Sequence, residues 1–280
     1  MVTNLVSTNA KTPNRVEWID LAKFFGIFAI VYGHTIQEGL SCKYVYSFHV
    51  PLFFLLQGVV FSVTHAARNP FGQFLKKKLY TLLLPYSCFA VISTVVIYVA
   101  SQFISVSDMD IFSSVADLVT NLLLGDCEAN RPLWFLPSTF CLSVIGYGII
   151  YLTNKQDGPV WKMVILTAFA LAGGVSLYVM EEFTYIKLLP WKIDTAVHML
   201  PFFIGGYVLE EHGIFCGFSK LSPGPKLAIT VALLGTGAVQ GLLNDMANYL
   251  GNYYGNIQDV STKCRTANMY TRRSKKTALL

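Results

Sequence analysis

Apolar runs of about 20 residues follow one another along most of this chain. The hydrocarbon core of a bilayer is ~30 Å thick and an α-helix rises ~1.5 Å per residue, so one such run can cross it once. We therefore predict an all-α fold, a polytopic transmembrane bundle of about seven spanning helices. The predicted spans are roughly residues 17–37, 45–64, 79–103, 133–153, 160–180, 196–211 and 226–243. A shorter amphipathic segment, 111–124, is expected at the interface or against the bundle.

Charge is scarce in this sequence. Charged residues make up 13% of the 280 residues and hydrophobic residues 54%, whereas a soluble domain carries about 25% charged residues. Such a chain cannot cover a globular surface with charge, which argues against a soluble enzyme, a disordered protein and a nucleic-acid-binding protein. The six cysteines form no CxxC pair or Cys/His cluster, so we expect neither a metal site nor a disulfide framework.

Lysine and arginine concentrate in alternate loops. One set of loops holds Lys11, Arg15, Arg68, Lys76, Lys77, Lys78, Lys155, Lys162, Lys220 and Lys226. The longest loop of the other set, 104–132, holds five acidic residues and a single basic one, Arg131. Because short cytoplasmic loops are rich in Lys and Arg, we predict a multi-pass protein of the cell (inner) membrane with a cytoplasmic N-terminus.

The domain boundaries follow from the same pattern. We expect a cytoplasmic N-terminal segment over 1–16, one transmembrane domain over 17–258 and a disordered, basic polar tail over 259–280. Seven crossings from a cytoplasmic N-terminus would leave this tail outside, although it carries the densest positive charge of the chain. We therefore predict a truncated or frame-shifted end. A natural basic tail with a miscounted helix is the alternative.

The first run, WIDLAKFFGIFAIVYGH, places the ionisable residues Asp20, Lys23 and His34 in or near the membrane. Such groups are costly in a bilayer and are functional candidates. At ~100° per residue, the step from Lys23 to His34 returns to the same helix face, and Asp20 lies one turn before Lys23 and can pair with it. We expect a polar track along this face. The alternatives are that Lys23 snorkels to the interface and that His34 is a core histidine bound to a carbonyl.

The second run opens with YSFHVPLFFLLQG. His49 lies near its outer end and can approach His34, either as a functional group or as a structural cap. Pro51 is expected in the first helical turn, where its missing N–H has no helical partner. Gln57 is buried in the run and must find a hydrogen bond.

Polar groups also flank the later runs. The cluster Lys76–Lys78 is either a topology signal alone or a site for the phosphates of a cytoplasmic donor. On the outer side, the segment NRPLWFLP places Trp134 at the interface as an anchor and Arg131 beside it as a contact for a hydroxylated or anionic acceptor. In the sixth run, Gly205 and Gly206 allow close helix packing.

Five segments, in their order and spacing, resemble the acyltransferase 3 family of integral membrane acyltransferases, especially its sugar O-acetylase branch (fucose 4-O-acetylase-like proteins). They are RVEWIDLAKFFGIFAIVYGH, SFHVPLFFLLQGVVF, FLKKKLYTLLLPY, PLWFLP and LPFFIGGYVLE, within about residues 14–257. Members have about ten transmembrane helices and move an acyl group from cytoplasmic acyl-CoA to an acceptor, often an extracytoplasmic glycan. By this resemblance, about three helices are missing after the last segment.

The resemblance implies catalytic and donor-binding roles. His34 takes the place of the family's essential histidine, as general base on the acceptor hydroxyl or as a transient carrier of the acyl group. Lys23 occupies a basic position where many members have Arg, and with Asp20 it completes the predicted catalytic group. Lys76–Lys78 match the basic stretch expected to contact acyl-CoA. That donor, acetyl-CoA in the simplest case, is a substrate, and no tightly bound cofactor is expected.

Acceptor binding is assigned to His49, Arg131 and Trp134, of which Trp134 matches the family's WFL segment. The expected partners are membrane lipid, acyl-CoA and a glycan or other hydroxylated acceptor such as a cell-envelope polysaccharide, and no nucleic acid. Two alternatives stay open. One is an exporter of a polysaccharide or small molecule, because intramembrane charge, Gly and Pro suit transport equally. The other is an inactive truncated remnant.

Overall fold

All the elements that the structure describes are helical. A computed structural model describes residues 16–36, 40–101, 103, 115–125, 127–156, 158–182 and 189–243, and these residues include no strand. The helices are α1 Glu17–Thr35, α2 Leu40–Val63, α3 Phe71–Lys78, α4 Leu84–Ser101, α5 Val115–Leu124, α6 Phe135–Thr153, α7 Pro159–Glu182, α8 Ile193–His198, α9 Leu200–Glu211, α10 Ile214–Lys220 and α11 Pro223–Leu243. Short 3₁₀ turns span Ala66–Arg68, Glu128–Trp134 and Pro190–Lys192, and a π-helical turn spans Leu79–Leu83. The all-α prediction is confirmed.

Four helical stretches within the described residues are long and apolar enough to cross a membrane. They are Ser41–Val63, Phe71–Ala100, Ala129–Thr153 and Pro159–Ser176. The total of about seven spans stays a prediction: α1 carries ionisable side chains, α9 has only 12 residues, and α11 is not among these four stretches. The predicted tail, 259–280, lies outside the described residues, as do residues 104–114 of the long acidic loop.

The third predicted span begins well before its apolar residues. The helix starts at Phe71, directly after Pro70, and runs from α3 through the π-helical turn into α4. Lys76–Lys78 therefore lie within a helix, whereas the sequence placed them ahead of one. The π-helical turn comes just before Pro85, which lacks the N–H that a regular helical hydrogen bond needs.

Two prolines also mark differences from the sequence prediction. Because α2 begins at Leu40, Pro51 lies in the helix interior, and the prediction that it occupies the first turn is wrong. Proline is tolerated inside membrane helices when neighbouring groups satisfy the freed carbonyl. The sixth predicted span is broken at Met199 into α8 and α9, with Pro201 in the first turn of α9.

α1 packs against α2 in an antiparallel arrangement through small residues. A Cβ atom at Gly26 would lie 2.8 Å from the ring of Phe53, and one at Gly33 would lie 2.9 Å from the ring of Tyr46. The opposite face of α1 exposes large apolar side chains, and Phe28 is 62% exposed. This arrangement turns large apolar side chains of α1 away from α2 and brings the last turns of α1 against the first half of α2.

α2 and α9 form the most extensive helix contact among the described residues. A Cβ atom at Gly206 would lie 2.0 Å from the carbonyl oxygen of Leu55, and one at Gly58 would lie 1.9 Å from that of Phe203. Gly205, by contrast, faces open space. The predicted close packing therefore rests on Gly206 and not on Gly205.

Candidate active site

Four of the predicted site residues line one cavity of about 390 Å³. His34 comes from the last turn of α1, His49 from the first half of α2, and Arg131 and Trp134 from the 3₁₀ turn before α6. The antiparallel packing of α1 on α2 brings the two histidines to the same end of the helix pair. We call this space the histidine cavity.

His49 is buried, and its ring is held from within its own helix. Nδ1 of His49 lies 2.8 Å from the carbonyl oxygen of Val45; because a carbonyl only accepts, Nδ1 carries the hydrogen and donates it. The Tyr46 ring lies near both histidines, with its centroid 4.9 Å from that of His49 and 6.3 Å from that of His34. His34 is exposed, so it does not fit a buried core histidine and is accessible to an incoming ligand.

Arg131 and Trp134 occupy different environments on the same 3₁₀ turn. Arg131 is exposed, whereas Trp134 is only 8% exposed and packs edge-on to Phe135, with ring centroids 6.1 Å apart. The expectation that Trp134 is an interfacial anchor is therefore wrong, because the ring belongs to the core. It forms a wall of the histidine cavity, and Arg131 supplies the charge.

A second cavity, of about 660 Å³, is lined by Lys23, Lys77 and Lys78. We call it the lysine cavity. Nζ of Lys23 lies 3.9 Å from Oδ1 of Asp20, so the structure contains the predicted ion pair, although both side chains are partly exposed and such a pair adds little stability. Lys76 is exposed and does not line the cavity. The structure thus brings two of the three clustered lysines together with Lys23.

The two cavities adjoin at a pair of phenylalanines. Phe53 of α2 and Phe135 of α6 belong to the linings of both cavities, and among the described residues they are the two that do. Their ring centroids are 5.7 Å apart in an edge-to-face arrangement. The predicted donor and acceptor residues therefore lie on opposite sides of one pair of aromatic rings.

A polar layer lies next to these rings on the lysine side. Nε2 of Gln57 donates to the carbonyl oxygen of Thr139, at 2.9 Å, and to Oγ of Ser143, at 2.8 Å. The prediction that Gln57 finds a hydrogen bond is confirmed. Oε1 of Gln57 and Oγ1 of Thr139 are buried without a hydrogen-bond partner among the described residues. Both residues line the lysine cavity.

A third cavity, of about 820 Å³, lies at the ends of α2, α6 and α9 and carries charges of both signs. Lys155, Lys162 and Arg68 line it together with Glu210 and Glu211. Lys162 forms an ion pair with Glu211, so much of the charge is balanced within the wall. Of the described residues in its lining, none is a predicted catalytic, donor or acceptor residue.

Sequence reasoning missed a buried polar cluster at the start of α8. Lys192, Asp194, Thr195 and His198 are all less than 9% exposed. Asp194 and His198 are four residues apart, a spacing that puts both on one helix face, and this was the available signal. Lys192 and the preceding Trp191 have positive φ angles, 54° and 52°, which no sequence pattern indicates.

Sequence reasoning also missed Tyr46, which lines the histidine cavity near His34 and His49. Tyr46 lies three residues before His49, on the same face of α2. Its spacing from His49 was therefore visible in the sequence. Within the described residues, no three His, Cys, Asp or Glu side chains come together as a metal site.

Comparison with known protein families connects this geometry to a chemistry. The family model for acyltransferase 3, described as an acyltransferase domain, matches residues 16–261. The chain belongs to the acyltransferase 3 family. Members of the acyltransferase 3 family are membrane acyltransferases, and the match covers every residue that lines the two cavities. Neither the curated proteins nor the solved structures give a match to this chain.

Proposed function

We propose that this acyltransferase 3 protein is an O-acyltransferase that moves an acyl group from cytoplasmic acyl-CoA to a hydroxyl of a sugar or cell-envelope polysaccharide. The acyl group is acetyl in the simplest case. The observation that carries the proposal is that the donor and acceptor candidates lie in two adjoining cavities. Lys23, Lys77 and Lys78 line one, and His34 and His49 line the other. A donor and an acceptor that arrive from opposite sides of a membrane need two binding cavities that adjoin.

The lysine cavity suits the phosphate-bearing end of acyl-CoA. Ammonium groups bind phosphates as point charges with three donors each, and three of them come from two elements, α1 and α3. The neutral arm that carries the thioester can then extend toward Phe53 and Phe135. This arrangement would leave the reacting carbonyl near the histidine cavity.

The histidine cavity suits a hydroxylated acceptor. Arg131 offers guanidinium donors to hydroxyl oxygens, and the small exposed part of the Trp134 ring gives the cavity an apolar wall. His34 is exposed toward the same space. A charged hydrogen-bond donor, an aromatic wall and an imidazole base therefore line the same cavity.

In the proposed reaction, an imidazole nitrogen of His34 takes the proton from the acceptor hydroxyl. The hydroxyl oxygen forms a bond to the thioester carbonyl carbon, and the C–S bond then breaks. The departing CoA sulfur takes the proton back from His34, so the products are an ester and a free thiol. Imidazole suits this work because its protonation changes near neutral pH.

The test is thiol release from acetyl-CoA by the full chain in membranes, with a mixture of candidate glycans. We expect His34→Ala to lower the rate by roughly 10²–10⁴-fold, the usual contribution of a general base. His212→Ala is the matched control, because His212 is exposed at the end of α9 and lines neither cavity. Thiol release that persists in His34→Ala would refute the assignment. Glycan export without thiol release would assign a transporter instead.

The orientation has its own test. Arg131 and Lys155 flank the two ends of α6 and are both exposed. With Cys88 and Cys216, which are exposed, and Cys264 of the predicted tail all replaced by Ser, a membrane-impermeant maleimide added to intact cells should modify Arg131→Cys. Lys155→Cys should react only after the membrane is permeabilised. The reverse pattern would place the lysine side, and the N-terminus, outside.

A further inference from the structure

We propose that Phe53 and Phe135 form an aromatic partition between the two cavities and set the length of the acyl chain that the protein transfers. The inference rests on the proposed function, because it places the thioester donor in the lysine cavity and the acceptor in the histidine cavity. It adds a specificity role to two residues to which the sequence analysis gave no function of their own.

The partition is one layer in a regular stack. On α2, Phe53 lies one turn after His49 and one turn before Gln57, so all three share a face. On α6, Phe135 lies one turn before Thr139. Each turn advances ~5.4 Å. A single aromatic layer therefore separates the imidazole layer from the amide and hydroxyl layer.

Neighbouring groups hold the two rings in place. The ring of Phe53 abuts Gly26 of α1, where a Cβ atom would come within 2.8 Å of it. The ring of Phe135 packs against Phe54, with centroids 5.2 Å apart, and against Trp134. The two rings are thus supported by three elements: α1, α2 and the 3₁₀ turn before α6.

An apolar constriction of this kind discriminates by charge and by width. Water and ions pass a narrow apolar constriction poorly because ions lose their hydration there. The charged phosphates of the donor are therefore expected to stay beside the lysines. Because the two rings are in contact, the neutral, narrow end that carries the acyl group reaches the histidine cavity when the ring edges turn aside. A longer acyl chain needs the space that the rings and the histidine cavity of about 390 Å³ leave.

The first experiment tests the partition without using activity. A charged methanethiosulfonate is added to the side of the membrane from which Val60→Cys, in the lysine cavity, is modified. We expect Ile30→Cys, in the histidine cavity, to stay unmodified over the same time. Adding Phe135→Ala should make Ile30→Cys react. Phe53→Leu, a smaller change at a half-buried residue, repeats the test in case Phe135→Ala folds poorly.

The second experiment tests the specificity. Thiol release is compared for acetyl-CoA and hexanoyl-CoA in the unchanged chain, in Phe53→Leu and in Phe135→Leu. We expect the ratio of hexanoyl to acetyl rates to rise at least roughly tenfold, because accommodating even one methylene group in an apolar pocket is worth about that much. Phe25→Leu is the control: Phe25 is 60% exposed on the far face of α1 and should leave the ratio unchanged.

The two readouts separate the possible failures. Ile30→Cys that reacts as fast as Val60→Cys in the parent overturns the partition. An unchanged chain-length ratio in both phenylalanine variants overturns the specificity role. A parent that releases no thiol from either donor removes the proposed function, and with it the specificity role, while the labelling result still decides whether the partition exists.

Discussion

Replacing Gly206 by alanine should destabilise the protein, and replacing Gly205 should not. The two glycines are neighbours on α9 but face different surroundings. A Cβ atom at Gly206 would lie 2.0 Å from the carbonyl oxygen of Leu55 on α2, and one at Gly205 would meet nothing within 4 Å. Comparing the two alanine variants therefore separates the cost of the contact between α2 and α9 from the gain in helix propensity.

The magnitude follows from the geometry. Real Cβ atoms essentially never come closer than 3.0 Å to such an atom, so a methyl group at Gly206 would have to move α2 and α9 apart by about 1 Å. Overpacking costs about 1–3 kcal/mol and occasionally more, and a backbone carbonyl cannot rotate away as a flexible side chain can. Alanine recovers about 0.5–1 kcal/mol of helix propensity. Taking the upper end of the overpacking range, because the clash is with backbone, the net loss is about 2 kcal/mol for Gly206→Ala, whereas Gly205→Ala gains about 0.5–1 kcal/mol.

Thermal unfolding in detergent measures both variants in the full chain. At roughly 2–4 °C per kcal/mol, Gly206→Ala should lower the unfolding midpoint by about 4–8 °C, while Gly205→Ala should leave it unchanged or raise it. Gly58→Ala, which faces the Phe203 carbonyl at 1.9 Å, should behave like Gly206→Ala. A Gly206→Ala variant as stable as Gly205→Ala would refute the close approach of α2 and α9.

Three further predictions test the site and its support. Lys77→Ala should raise the KM for acetyl-CoA by roughly tenfold, since a contact to a charged group is worth about 1.5–3 kcal/mol. Lys76→Ala, outside the lysine cavity, should leave that KM unchanged in the same assay. Tyr147→Phe removes the hydroxyl that donates to the Asn69 carbonyl at 2.8 Å and should cost about 0.5–1.5 kcal/mol in thermal unfolding. Gln57→Ala removes two hydrogen bonds to α6 and should cost about 1–3 kcal/mol by the same measurement. A midpoint at or above that of the unchanged chain would contradict either of the last two.

The all-α fold and the closeness of His34 to His49 could both be predicted from the sequence, for one physical reason. The thickness of a bilayer fixes the length of an apolar run, so the positions of the run ends are visible in the sequence. Adjacent antiparallel helices then bring those ends together. His34, near the end of one run, and His49, near the start of the next, accordingly line one cavity.

The rotation of each helix could not be predicted in this way. Lipid and bundle interior are equally apolar, so Phe28, which is 62% exposed, and Phe54, which is fully buried, look alike in the sequence. Gly205 and Gly206 differ by ~100° of rotation, and only the structure shows which one meets α2. The start of α3 was misplaced for a related reason: hydropathy marks where apolar residues begin, and the helix begins eight residues earlier, at Phe71.

The aromatic partition also gives a reason why an acyl group would cross this protein when a whole donor or acceptor molecule would not. In the proposed reaction the phosphates of the donor would lie beside three lysines, and moving past the rings would exchange charge-assisted contacts for an apolar passage. The acceptor has an arginine and two histidines on its own side. An acyl group is small and uncharged, so it is the part of either molecule that can pass between Phe53 and Phe135 at little cost. A transporter would need the passage between Phe53 and Phe135 to admit a polar solute. Replacing the phenylalanines therefore tests both classes of function at the same two residues.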